Sequence, residues 1–273
     1  MRQVILLLLG LLVVFPPPSA AQAVPVNVVG VGVEEAMLGT YRRASADSLR
    51  FFLATHGVSL ARSLAVLVYA STEGYVQRLA RYFGSEAEAR DVARWAMGWA
   101  GDREVLIDHS RLREPFRQYQ TLAHELTHQL QIELAGFDQQ YSDRAWKSCW
   151  MAEGHADFVS WKVGDRTVTS YERTRTVSLE AIRRAPRFSL KQAAGACGTF
   201  RPLQNQVGGE AAYGMSMLAV ETLVEQHGSP AIVAYFRNLA SQSAEAAFQT
   251  AFRVSMSDFL TEFEARLARE LGR

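Results

Sequence analysis

Residues 115–134 contain no proline or glycine after Pro115, and Leu122, Leu126, Leu130 and Leu134 recur at every fourth position. Leucines spaced this way stack on one face of an α-helix, so the stretch is expected to be a helix laying an apolar stripe on a core. Within it runs His124-Glu125-Leu126-Thr127-His128. Histidines four apart on a helix have Cβ atoms about 5–6 Å from one another, close enough to share one cation. In this H-E-x-x-H pattern the imidazoles hold zinc and the glutamate handles protons. Two hydrogen-bonded histidines on an ordinary helix give the same string by chance, so the rest of the chain must supply what the motif lacks.

What it lacks is a third ligand, because a catalytic zinc takes three protein donors and keeps one position open. A histidine six residues after His128 would serve, but that residue is Leu134. Glu153 is the better candidate: it stands 25 residues after His128 in a helical segment, which leaves room for the chain to turn and lay a second helix on the first. One zinc ion held by His124, His128 and Glu153 would be a His2Glu site. Asp157 lies on the same helix face as Glu153 and could accept the other ring N–H of His124, which fixes the tautomer of a ligating histidine. A solvated helix aspartate is the plainer reading. His155 is expected to point away from the metal and to play a structural part. His56, His109 and His227 belong to no motif and read as surface or packing residues.

Residues 1–21 stand apart from this core. A short basic start, an apolar run over residues 4–15, Pro16-Pro17-Pro18 and small residues about position 20 read as a secretory signal peptide. The run falls short of the roughly 18–20 residues that span a bilayer, so retention as an anchor is the weaker reading, and no other stretch approaches membrane length. Export makes the mature chain secreted or periplasmic, with no stable membrane span after cleavage. Cleavage takes Arg2 from the 29 Lys+Arg residues and leaves 28 against 28 Asp+Glu. A neutral chain without a long basic block points to no nucleic-acid partner. Cys149 and Cys197 are an even pair, and in an exported protein they suit one disulfide that would brace the region of Glu153; two buried thiols are the alternative.

Along the chain, residues 24–33 read as an extended lead-in, 34–52 as a helix, 64–69 as a strand and 71–83 as a helix capped by Ser71. A further helix over 86–97 is followed by a break at 98–102 and a strand over 103–108. That strand could be an edge beside the metal cleft, holding an extended peptide by main-chain bonds, or an ordinary sheet strand. Helices over 145–159 and 170–184 precede a turn-rich stretch over 188–209. Three more follow, over 211–226, 229–240 and 257–271. The expected fold class is therefore α+β and predominantly helical, a small mixed sheet packed on a helical body. The expected divisions are the signal at 1–21, a lead-in at 22–63 and one domain over 64–273.

The block Trp150-Met151-Ala152-Glu153-Gly154-His155-Ala156, following His124 to His128, resembles the W-x-x-E-G-x-A continuation of gluzincin zinc metallopeptidases, including small bacterial peptidase-MA-like proteins. Ala212-Tyr213-Gly214-Met215-Ser216 and the segment from Ala247 through Phe252 into the final helix are similar to later parts of that family. The resemblance implies a zincin-like domain, zinc on His124, His128 and Glu153, Glu125 as general base, Asp157 behind His124, and Tyr213 as a donor to the oxyanion. Tyr213 is otherwise a common kind of core or turn residue. The implied activity is zinc-dependent hydrolysis of peptide bonds in a peptide or protein substrate. The alternative is a noncatalytic, zinc-stabilised exported domain that binds peptides or proteins in the same cleft. A purely structural zinc fits poorly, because such sites favour cysteine-rich sets of four ligands.

Overall fold

Two apolar runs, Leu64–Tyr69 (β2) and Glu104–Asp108 (β4), form the middle of a four-stranded sheet in the computed structural model, which describes residues 26–136, 147–164 and 171–273. The segment expected to be a signal peptide lies outside the described residues. Val26–Val31 (β1) lies beside β2 and Gly98–Ala100 (β3) beside β4, giving the order β1-β2-β4-β3. β1, β2 and β4 are parallel, and only β3 runs antiparallel. The inner strands are apolar on both faces because both faces are covered. Val66, Val68, Val105 and Ile107 belong to the larger core, together with Tyr41 and Ala44 of α1 (Gly39–Phe51) and Leu122 and Leu126 of α4 (Pro115–Leu134). Tyr69 and Leu106 meet Tyr75, Val76 and Leu79 of α2 (Thr72–Phe83) and Val92 of α3 (Glu86–Ala93).

The expected helix over 115–134 is α4, with Pro115 as its first residue, where a missing N–H costs nothing. It is buried on nearly every side, so its polar residues need partners. Gln118 donates to Leu112 O at 2.8 Å, and Gln129 donates to Gly101 O at 2.6 Å, tying α4 to the β3–β4 turn. Ser71 caps α2 by accepting the Gly74 N–H at 3.2 Å.

The helical body follows as α5 (Cys149–Gly164), α6 (Tyr171–Arg184), α7 (Cys197–Val207), α8 (Gly209–His227), α9 (Ser229–Asn238), α10 (Ala244–Phe252) and α11 (Met256–Glu270). α5 packs against both α4 and α8. Its approach to α8 depends on Gly154, where an added Cβ would stand 2.4 Å from Ser216 O. Cys149 and Cys197 form a disulfide that joins the starts of α5 and α7.

The structure departs from the sequence reading in three places. Of the two roles open for the strand over 103–108, the ordinary sheet strand holds, because β4 within it is an inner strand with every residue buried; β3, read as part of a break, is the edge beside the cleft. α7 forms within the stretch read as turns, even though Pro202 lies inside it. There the disulfide and the burial of Phe200, Leu203 and Val207 outweigh weak local helix preference. Four helices, not three, follow residue 208, because α10 lies between α9 and α11. Among the described residues, no helix is long and apolar enough to cross a membrane.

Candidate metal centre and cleft

His124 and His128 project from one face of α4 toward α5, which carries Glu153. His124 Nε2 lies 2.9 Å from His128 Nε2 and 3.2 Å from Glu153 Oε2, and His128 Nε2 lies 3.5 Å from the same oxygen. Donors around a tetrahedral ion with bonds of about 2.0–2.1 Å stand about 3.3 Å apart, so the three atoms fit one metal ion.

The outer hydrogen bonds explain why these atoms face one another. His124 Nδ1 lies 2.8 Å from Asp157 Oδ1, and His128 Nδ1 lies 2.9 Å from Gln131 Oε1. Both partners are acceptors, so each neutral ring carries its proton on Nδ1 and turns the Nε2 lone pair inward. Two inward lone pairs beside a carboxylate oxygen repel unless a cation lies among them. Burial alone would lower His124, yet Asp157 and Glu153 hold it well above the usual histidine range. Burial would likewise raise Glu153, yet His124 and His128 hold its carboxyl well below the usual carboxylate range. The cluster is arranged to hold positive charge.

Glu125, next to His124 on α4, turns toward β3. It is buried, and burial pushes its pKa up against the opposing pull of His128 and His124. Its carboxylate meets the backbone of Ala100 and lies against Gly98. A side chain on Gly98 would occupy the space of Glu125, so this glycine is what lets the carboxylate lie on the strand. Tyr213 on α8 completes the group, with its ring centroid 6.4 Å from that of His124 and edge-on to Phe200 of α7. Burial, then Glu153 and Asp157, raises its hydroxyl well above the usual tyrosine range, so it stays an O–H donor at neutral pH.

All six residues line one cleft of about 1120 Å³. Its walls come from β3, α4, α5, α6, α7 and α8, and Arg201 of α7 packs over the Trp95 ring at 4.4 Å. A cleft of this size, with a few convergent polar groups between aromatic walls, suits a ligand larger than a single metabolite fragment.

Every site residue expected from the sequence thus converges here: His124, His128, Glu153, Asp157, Glu125 and Tyr213. His155 points away from the ligand atoms, into the interior between Gln131 and His56. Gln131 and Gly98 were not singled out from the sequence. Gln131 carried one usable signal, standing three residues after His128 on the same helix face. Gly98 carried none, because its importance depends on what packs over it. No model of a known protein family matches the chain, and no curated protein matches it in sequence.

Proposed function

We propose that the protein is an exported zinc peptidase of the gluzincin type, with a zincin-like domain and one zinc ion on His124, His128 and Glu153. The observation that carries this is the paired inward Nε2 atoms 2.9 Å apart, each with its ring proton held outward, beside a carboxylate and the separate buried carboxylate of Glu125. Zinc bound there would lower the pKa of water to about 7 and polarise a carbonyl.

The chain's own residues supply the rest. Glu125 takes a proton from the attacking water and delivers it to the leaving amine, a transfer worth roughly 10² to 10⁴ in rate. Its raised pKa suits that exchange. Tyr213 O–H donates to the oxygen on which negative charge develops. Asp157 and Gln131 hold the imidazoles in their ligating tautomers. β3, the sheet edge at the cleft, offers main-chain groups along which an extended peptide could pair.

Glu125 beside the ligand set favours hydrolysis over noncatalytic binding, because a domain that only binds has no use for a buried base at that point. The disulfide supports export, since such bridges persist in oxidising compartments. Metal analysis of the purified protein tests the reading: one zinc per chain, loss of peptide hydrolysis on chelation and its return with zinc are expected. Protein without stoichiometric metal that still hydrolyses peptides contradicts it.

A further inference from the structure

Beyond the ligands, a line of buried polar side chains leads away from His128, and past Gln131 its members have no part in the proposed reaction. Gln131 Oε1 lies 2.9 Å from His128 Nδ1, while Gln131 Nε2 lies 2.9 Å from Ala152 O and 3.1 Å from His155 Nδ1. His155 Nε2 in turn lies 3.2 Å from His56 Nε2. His155 is wholly buried and His56 is 3 % exposed. Phe51 and Phe52 flank the His56 ring, and Phe236 flanks that of His155. His56 ends a π-helical turn, Phe52–His56, an unusual local geometry that aims its ring into the interior.

Each proton in this line has one assignment. A carbonyl oxygen can only accept, so Ala152 O requires the NH2 end of the Gln131 amide and fixes the orientation of that amide without reference to any metal. Gln131 Oε1 then faces His128 Nδ1, which must be N–H. The second amide proton points at His155 Nδ1, which must accept, so the His155 proton sits on Nε2 and is donated to His56 Nε2. His56 carries its own proton on Nδ1, a buried atom with no hydrogen-bond partner among the described residues.

We infer that Gln131, His155 and His56 form a one-way hydrogen-bond chain, anchored on Ala152 O, that positions His128 and locks it in the tautomer whose Nε2 faces the metal. Gln131 is the positioning residue, and the two histidines hold it from behind. The chain of assignments stands on the hydrogen-bond geometry, and only its consequence for metal affinity rests on the proposed zinc site.

The test has two arms. Long-range ¹⁵N–¹H correlation spectra of the folded wild type should show His155 as the Nε2–H tautomer, with His128 and His56 as Nδ1–H. A His155 proton on Nδ1 overturns the chain. In the second arm, zinc affinity is measured by chelator competition. Gln131→Met, which fills similar space without hydrogen bonds, should lose about 10- to 100-fold in affinity, the usual effect of removing a group that holds a ligand. Gln131→Glu, which keeps the acceptor at His128 but not the amide donors, should stay within about threefold of wild type by the same reasoning and should move the His155 proton to Nδ1. Folded Gln131→Met with wild-type affinity overturns the positioning role. A wild type that takes up no zinc contradicts the metal site instead, and the His155 tautomer still decides the chain.

Discussion

A Cβ atom placed on Gly98 would stand 2.6 Å from Cγ of Glu125 and 2.7 Å from its Oε1, so the edge strand and the carboxylate share space that only glycine leaves open. Gly98→Ala should push the Glu125 carboxylate out of line while leaving the three metal donors untouched. A displacement of about 1 Å at a reacting group can cost about 100-fold in rate. The expected result is a kcat loss of that order with zinc content unchanged. Equal losses of zinc and activity would mean that Gly98 supports the metal site rather than the base.

Gly154 makes a second close approach, this time between helices. Gly154→Ala would force its Cβ against the backbone of Ser216, 2.4 Å away, and a backbone cannot swing aside as a side-chain tip does. Overpacking of this kind typically costs about 1–3 kcal/mol, and here it would also shift Glu153, the neighbouring residue. The expected outcome is a lower thermal midpoint together with weaker zinc binding. Gly198→Ala is the control, since an added Cβ there meets nothing within 4 Å. Its midpoint should be unchanged or higher.

How much of this was legible in the sequence depends on the range of the interaction. The α4 helix, the histidine pair and the shared face of Glu153 and Asp157 follow from spacings within a helical turn, whereas Glu153 as third ligand rested on the room for a second helix and on the resemblance. The Gln131 side chain bonds across to Ala152 and His155 of α5, which no local pattern reveals. β3 is only three residues long and exists because β4 pairs with it, so its own letters could not mark it as the edge. α7 was hidden by glycine and proline signals that the disulfide and buried Phe200 override.

His56 links the buried line of histidines to acid stability. Burial pushes its pKa down to about 4, against about 6.5 for a histidine in an unfolded chain. Between these values the unfolded chain binds a proton that the folded chain does not, so stability is full above pH 6.5 and falls as the pH drops toward 4. The loss from this one group is on the order of 3 kcal/mol. His56→Gln can still accept from His155 and does not titrate. Urea unfolding with chelator present, so that metal release adds no slope, should show a flatter pH dependence for the variant over this window. Identical slopes would contradict the burial of a neutral His56.

Glu125 decides whether the cleft catalyses or only binds. Wild type and Glu125→Gln, both loaded with zinc, should be compared on one peptide library at neutral pH. Glu125 donates no atom to the metal cluster, so the variant should carry as much zinc as wild type. Its hydrolysis should fall by about 10² to 10⁴, the contribution of a positioned general base. A zinc-loaded Glu125→Gln variant that cleaves the library at the wild-type rate, or a zinc-loaded wild type that cleaves nothing, would contradict the proposed peptidase.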